Sequence, residues 1–189
     1  GFVDDAYEML VNANYPGPAQ SIKDYDATTF FERYCKSRVE QMKVGQNFWA
    51  FGHSTGWMVK YLAGLGYDPD KPMGRGMILA PKVPRSGKLN QVTASLKTPT
   101  GLSKSDWTYV DGVFDWSFTI PANSSAEVHI PTDDAASIQG AAGMEKLRSE
   151  EGVAIYHAVA GTYTVQSRLR EQKPVVSAAP AISGSSKEW

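Results

Sequence analysis

The stretch Phe114-Asp115-Trp116-Ser117-Phe118-Thr119-Ile120, continued beyond Pro121-Ala122-Asn123-Ser124-Ser125 by Ala126-Glu127-Val128-His129-Ile130, decides the fold of this chain. Apolar side chains stand at every second position on both sides of the intervening five residues. Successive side chains of a strand point to opposite faces, so each half reads as a strand with one buried face. The proline and small polar residues between them predict a turn, hence a hairpin. Trp116 then belongs to the core, and His129, out of register with Val128 and Ile130, faces solvent.

The same period extends outward. Met77-Ile78-Leu79 is a short apolar run between Gly76 and Pro81, and Val92, Ala94 and Leu96 alternate with Thr93, Ser95 and Lys97. Residues 153–157 and 163–169 give two further strands, separated by Gly161. Strands at this spacing predict an antiparallel β-sandwich over residues 71–170. Residues 132–150 read as a long connection with a short helical turn within Ala141-Ala142-Gly143-Met144-Glu145-Lys146-Leu147. Residues 171–189, small, polar and proline-containing, read as a flexible tail.

Upstream, the period becomes helical. Val3, Ala6, Tyr7, Leu10 and Val11 make one stripe within residues 2–13, which Asn14-Tyr15-Pro16-Gly17-Pro18 brings to an end. A second helix spans residues 50–63, with Phe51, Met58, Tyr61, Leu62 and Leu65 recurring and Gly64 and Gly66 closing it. Between them a loop and extended region runs through Glu32. Two helices cannot bury two apolar stripes by themselves. Residues 1–70 are therefore expected to be the incomplete end of a larger helical unit, with more chain upstream.

Composition narrows the function. The 189 residues carry a net charge of −1 with 42% hydrophobic residues and no basic block, so neither nucleic acid nor a membrane surface is an expected partner. No apolar run approaches the roughly 18 residues of a membrane helix, and residue 1 opens on an amphipathic helix without a signal-peptide pattern. The single cysteine, Cys35, has no partner for an internal disulfide and no activating histidine nearby. No spacing suits a metal or a cofactor. Gly74-Arg75-Gly76 lacks the context of a phosphate loop. The acidic pairs Asp4-Asp5, Asp133-Asp134 and Glu150-Glu151 are adjacent, so their carboxylates point apart.

Ala27-Thr28-Thr29-Phe30-Phe31-Glu32-Arg33 carries the chemistry. Two hydroxyls, two rings, a carboxylate and a guanidinium furnish a site for a polyhydroxylated ligand, with Glu32 at its centre. The plainer reading is a surface carboxylate paired with a basic neighbour.

With Ala50-Phe51-Gly52, Trp57, Ala63-Gly64-Leu65, residues 92–100 and residues 114–131, this stretch resembles the C-terminal part of the α-L-rhamnosidases of glycoside hydrolase family 78. The resemblance covers residues 1–170. It implies the terminal helices of an (α/α)6 catalytic barrel over residues 1–70, followed by the β-sandwich. It also implies Glu32 as the general base of an inverting hydrolysis, with Thr29, Arg33, Phe48, Trp49 and His53 facing substrate. The general acid would lie upstream, so this chain alone is expected to be inactive, its partners being a rhamnoside or related sugar and the remainder of the barrel. The family pattern has tryptophan where this chain has Tyr34 and histidine where it has Phe48, with His53 five residues further on; the sugar is therefore rhamnose or another deoxy-sugar. The alternative is a noncatalytic carbohydrate-binding or structural module contacting ligand through Trp107 and Tyr109. Asn123-Ser124-Ser125 is a glycosylation acceptor triplet, consistent with an extracellular location.

Overall fold

The computed structural model describes residues 2–72 and 75–170. The expected tail over residues 171–189, Gly74 and the side chain of Phe51 lie outside the described residues.

Seven strands form one sheet: β1 (Leu65–Tyr67), β2 (Gly76–Leu79), β3 (Gln91–Thr98), β4 (Gly101–Val110), β5 (Val113–Pro131), β6 (Glu145–Glu150) and β7 (Val153–Arg168). Their order is β1-β2-β5-β4-β3, with β7 also paired to β5 and β6 to β7. The expected hairpin about residues 121–125 is instead one continuous strand. β7 accompanies β5 from Val113 opposite Arg168 to Pro131 opposite Val153, and Gly161 does not divide it. Between Ile120 and Ser125 the register shifts and Asn123 takes a left-handed φ of 60°. The apolar face is the same on both sides of this irregularity, so alternation alone cannot separate a bulge from a turn.

The bulge divides the sheet into two wings. The first half of β5 lies between β4 and the second half of β7; its second half lies between β2 and the first half of β7. Every pair is antiparallel except β2 with β5, which run parallel. Phe114, Trp116 and Phe118 from one wing and Leu79, Val128 and Ile130 from the other fill a single core. Trp116 is wholly buried, its ring 4.4 Å from that of Phe118, and its indole N–H donates to Ser105 Oγ at 2.9 Å. Trp107 and Tyr109, the contacts of the alternative binding module, are only 2% and 5% exposed and lie in the same core.

Where a helical turn is expected over residues 141–147, residues 141–144 make a single tight turn, with Met144 N–H donating to Ala141 O at 3.2 Å, and a strand begins at Glu145. The alternating charges of Glu145-Lys146-Leu147-Arg148-Ser149-Glu150 form the exposed edge strand β6, and charge on an edge discourages further pairing. The turn of helix in this connection is Ala135–Ser137, capped by the Asp134 carboxylate accepting from Ala136 N–H at 2.9 Å.

Upstream of the sheet lie α1 (Val3–Val11), α2 (Pro18–Tyr25), α3 (Arg38–Gln41) and a continuous helical run in which a tight turn, Trp49–Gly52, leads into α4 (His53–Trp57) and then a wide turn, Met58–Leu62. α2 occupies what reads as loop in the sequence. Pro18 at its first turn loses no helical hydrogen bond there, because the first N–H groups of a helix have no partner. Leu65 leaves the helical run for β1, since Gly64 at φ 73° reverses the chain.

The end of this run is held by the sheet domain, one carbonyl at a time. Tyr61 O accepts from Lys82 N–H at 2.7 Å, Leu62 O from the Trp107 indole N–H at 2.8 Å, Ala63 O from the Ser105 hydroxyl at 2.6 Å, and Gly64 O from Ala80 N–H at 2.9 Å. A helix ordinarily leaves its last carbonyls unsatisfied. α1 is tied by polar groups too: Asp4 accepts from Ser86 N–H at 2.9 Å, and Glu8 pairs with Lys88 at 2.6 Å. Many large apolar side chains of the helical segment remain exposed. Of the fifteen large apolar side chains exposed among the described residues, eleven precede Leu62, and α1 buries none of its own.

Candidate functional site

Glu32 sits on a loop anchored from beneath. Tyr25, Phe31 and Cys35 form a small separate core, and the Cys35 carbonyl accepts from Gln20 Nε2 at 3.0 Å and from the Tyr25 hydroxyl at 2.9 Å. Cys35 is wholly buried. Phe31 is turned in, and Glu32, in the bend that follows, is exposed.

A second segment clamps the loop from the side. Glu32 N–H donates to Gly45 O at 2.8 Å, and the Glu32 carboxylate accepts from Gly45 N–H at 3.1 Å. Phe48 N–H donates to Phe30 O at 2.7 Å, and the Thr29 hydroxyl donates to Gln46 O. One carboxylate oxygen is thus fixed by a backbone donor while the side chain stays in solvent. A Cβ at position 45 would be in van der Waals contact with that carboxylate, 3.4 Å from Glu32 Oε2.

Beside this loop a groove of about 530 Å³ opens between α1, α2, residues 27–34 and α4. Ala6, Met9, Leu10, Ile22 and Trp57 give it an apolar floor, and Thr28, Thr29, Arg33 and His53 stand on its walls. The structure therefore brings Thr29, Arg33 and His53 together. Glu32, Phe48 and Trp49 are not among the lining residues: Glu32 turns toward Gly45, and Trp49 projects into solvent at 79% exposure with its ring 6.4 Å from that of Phe48. Sequence reasoning missed the contributions of α1 and α2 to this groove. Gly17-Pro18 ahead of Ala19-Gln20-Ser21-Ile22 was the available helix-start signal.

Two charged clusters lie on the sheet domain. His129, expected to face solvent, is half-buried, and its Nε2 is 2.7 Å from Glu127 Oε1, which Arg148 also approaches at 3.3 Å. Burial pushes the Glu127 carboxyl up, but the hydrogen bond from His129 and the nearby positive charge outweigh it and leave it below its ordinary value. Asp133 likewise sits below its ordinary value: burial opposes ionisation, while the Arg170 backbone N–H and the Arg85 guanidinium, 2.5 Å away, favour it more. Arg85 and His129 both border a smaller cavity of about 250 Å³ together with Asp4 and Lys82.

Fold and site together define a class: a strand-rich domain that grips a helical segment bearing an open groove and an exposed, oriented glutamate. Within that class the chain is similar to the C-terminal part of the α-L-rhamnosidases, and residues 66–145 match the family described as the bacterial alpha-L-rhamnosidase C-terminal domain. An α-L-rhamnosidase of Alteromonas sp. is 30% identical over 177 residues, covering 91% of this chain and 18% of the relative. One from Formosa agariphila is 28% identical over 182 residues, covering 89% and 19%. The crystal structure of the Streptomyces avermitilis α-L-rhamnosidase complexed with L-rhamnose superposes with a TM-score of 0.76 at 24% identity, over 88% of this chain and 16% of that one, a likeness of fold. The chain spans about a fifth of the length of the relatives it matches.

Proposed function

We propose that the chain is the C-terminal portion of a glycoside hydrolase that releases L-rhamnose or a related deoxy-sugar with inversion, and that Glu32 is its general base. The observation that carries this reading is the placement of Glu32: exposed, with one oxygen held by Gly45 N–H, which leaves the other free to take a proton from water. Arg33 and His53 on the adjoining groove would supply donors for sugar hydroxyls and the Thr29 oxygen an acceptor, with the exposed Trp49 ring offering a stacking face.

An inverting hydrolysis needs a second carboxyl roughly 6.5–9.5 Å away to protonate the leaving oxygen. We assign that acid to the upstream part of the protein, where a helical barrel would also cover the apolar side chains left exposed before residue 62. The similarity to relatives about five times longer supports this reading. A carbohydrate-binding module contacting ligand through Trp107 and Tyr109 loses those two contacts, because both are core residues. The test is an aryl α-L-rhamnoside assay on protein expressed with its upstream sequence. Glu32→Gln keeps size and hydrogen bonding but cannot accept the proton, and should lower kcat roughly 100- to 10,000-fold with a far smaller change in KM. Full activity in that variant would remove Glu32 from the mechanism, and turnover by the 189 residues alone would overturn the upstream acid.

A further inference from the structure

The helical run that carries the groove residues meets the sheet domain through few apolar side chains, chiefly Val59 with Ala63 just beyond its end, and through hydrogen bonds to its last carbonyls. Ala50, His53, Ser54 and Trp57 face the groove from one side of the helical run over residues 49–62, while the opposite end of that run terminates on the sheet domain. There its last two carbonyls and the two that follow each receive one donor from the sheet domain: two backbone N–H groups, from Lys82 and Ala80, and two side-chain donors, the Trp107 indole and the Ser105 hydroxyl. The side-chain donors are buried, and Ser105 is itself held by the Trp116 indole N–H at 2.9 Å.

Four directed bonds to four successive carbonyls fix the axis of a helix and also its rotation about that axis, which apolar packing alone does not. Neither side-chain donor can be withdrawn without stranding a polar group against the core, which makes the joint stiff. We propose that Trp107 and Ser105 are positioning residues: through the ends of their side chains, the sheet domain sets the rotation of the helical run and so the direction in which His53 and Trp57 enter the groove. What the groove binds rests on the function proposed above; the joint itself does not.

The joint is testable without any activity. In the 189-residue chain, Trp107→Phe retains a ring beside Phe114 but removes the donor to Leu62, and Ser105→Ala removes the donor to Ala63. Lys82→Pro removes the donor to Tyr61 from an exposed position, so it perturbs the joint without touching the core. Ile130→Val disturbs the same core but removes no donor to the helix or to Ser105, and serves as the control. Site-resolved amide exchange should accelerate at least about tenfold over residues 57–63 in the first three variants, with α2 and the β5–β7 pair unchanged. The side-chain resonances of His53 and Trp57 should shift in the same three and hold in the control. Exchange over residues 57–63 within twofold of the parent in Lys82→Pro and Trp107→Phe would overturn the proposal. So would equal acceleration in Ile130→Val, which would reduce the joint to general core stability. Loss of rhamnoside hydrolysis as a property of the longer protein would remove the proposed function and leave these readouts standing.

Discussion

Replacing Trp116 by alanine tests the sheet core most directly. The side chain is wholly buried, with Phe114 and Phe118 rings at 6.2 and 4.4 Å and an indole N–H bonded to Ser105. Truncating a buried large aromatic ordinarily costs about 3–5 kcal/mol, through lost transfer energy and the cavity left behind. Two aromatic neighbours and a buried hydrogen bond place this site in the upper half of that range, about 4–5 kcal/mol. Domains of this size are stable by roughly 5–15 kcal/mol, so the variant should fold but lie close to its unfolding transition. Urea unfolding followed by far-ultraviolet circular dichroism is the assay, and the midpoint should fall sharply with the slope unchanged. Trp116→Phe, which keeps most of the volume, should cost about 1–2 kcal/mol. A loss below about 1 kcal/mol for the alanine variant would mean that the two wings do not close on Trp116 as described.

Gly64→Ala should destabilise by about 2–4 kcal/mol in the same urea assay, because the residue adopts a positive φ and a Cβ would be driven into Pro81 N and the Ala80 carbonyl carbon; a neutral effect would argue against the turn between the helical run and β1. Asp133→Asn removes the partner of Arg85 and should cost about 1–2 kcal/mol at neutral pH. Because the folded carboxyl lies below its ordinary value, that difference should be complete above the ordinary carboxylate range and vanish as pH falls through the lowered folded value, so parent and variant stability curves should converge in acid. Changing Met9 and Ile22, both exposed at the groove, to serine should reduce dye binding and self-association of the isolated chain while leaving the sheet transition in place, as measured by fluorescence and light scattering.

The strand-rich character of residues 76–170 was legible residue by residue. Phe114, Trp116, Phe118, Val128 and Ile130 are all in the core, because a period of two commits a residue to a face whatever the neighbouring strand is. What the period does not contain is the identity of that neighbour. Whether Pro121 to Ser125 made a turn or a bulge, and whether residues 153–157 and 163–169 were two strands or one, depended on β7 lying beside β5 through its whole length. The edge strand β6 was equally illegible: six exposed residues leave no apolar pattern to read, and only pairing with β7 defines them as a strand.

At the site, the sequence by itself determined which groups are available: the hydroxyls, the carboxylate and the guanidinium of residues 28–33. Only the tertiary structure decided their directions. Gly45 is thirteen residues from Glu32 and holds one of its carboxylate oxygens beside the groove that Thr29 and Arg33 share with His53. Trp107, which resembles a loop-edge ligand contact beside Asp106, became instead a donor to the end of a helix 45 residues earlier in the chain. A hydrogen bond depends on distance and direction in space, and neither is encoded in the local order of residues.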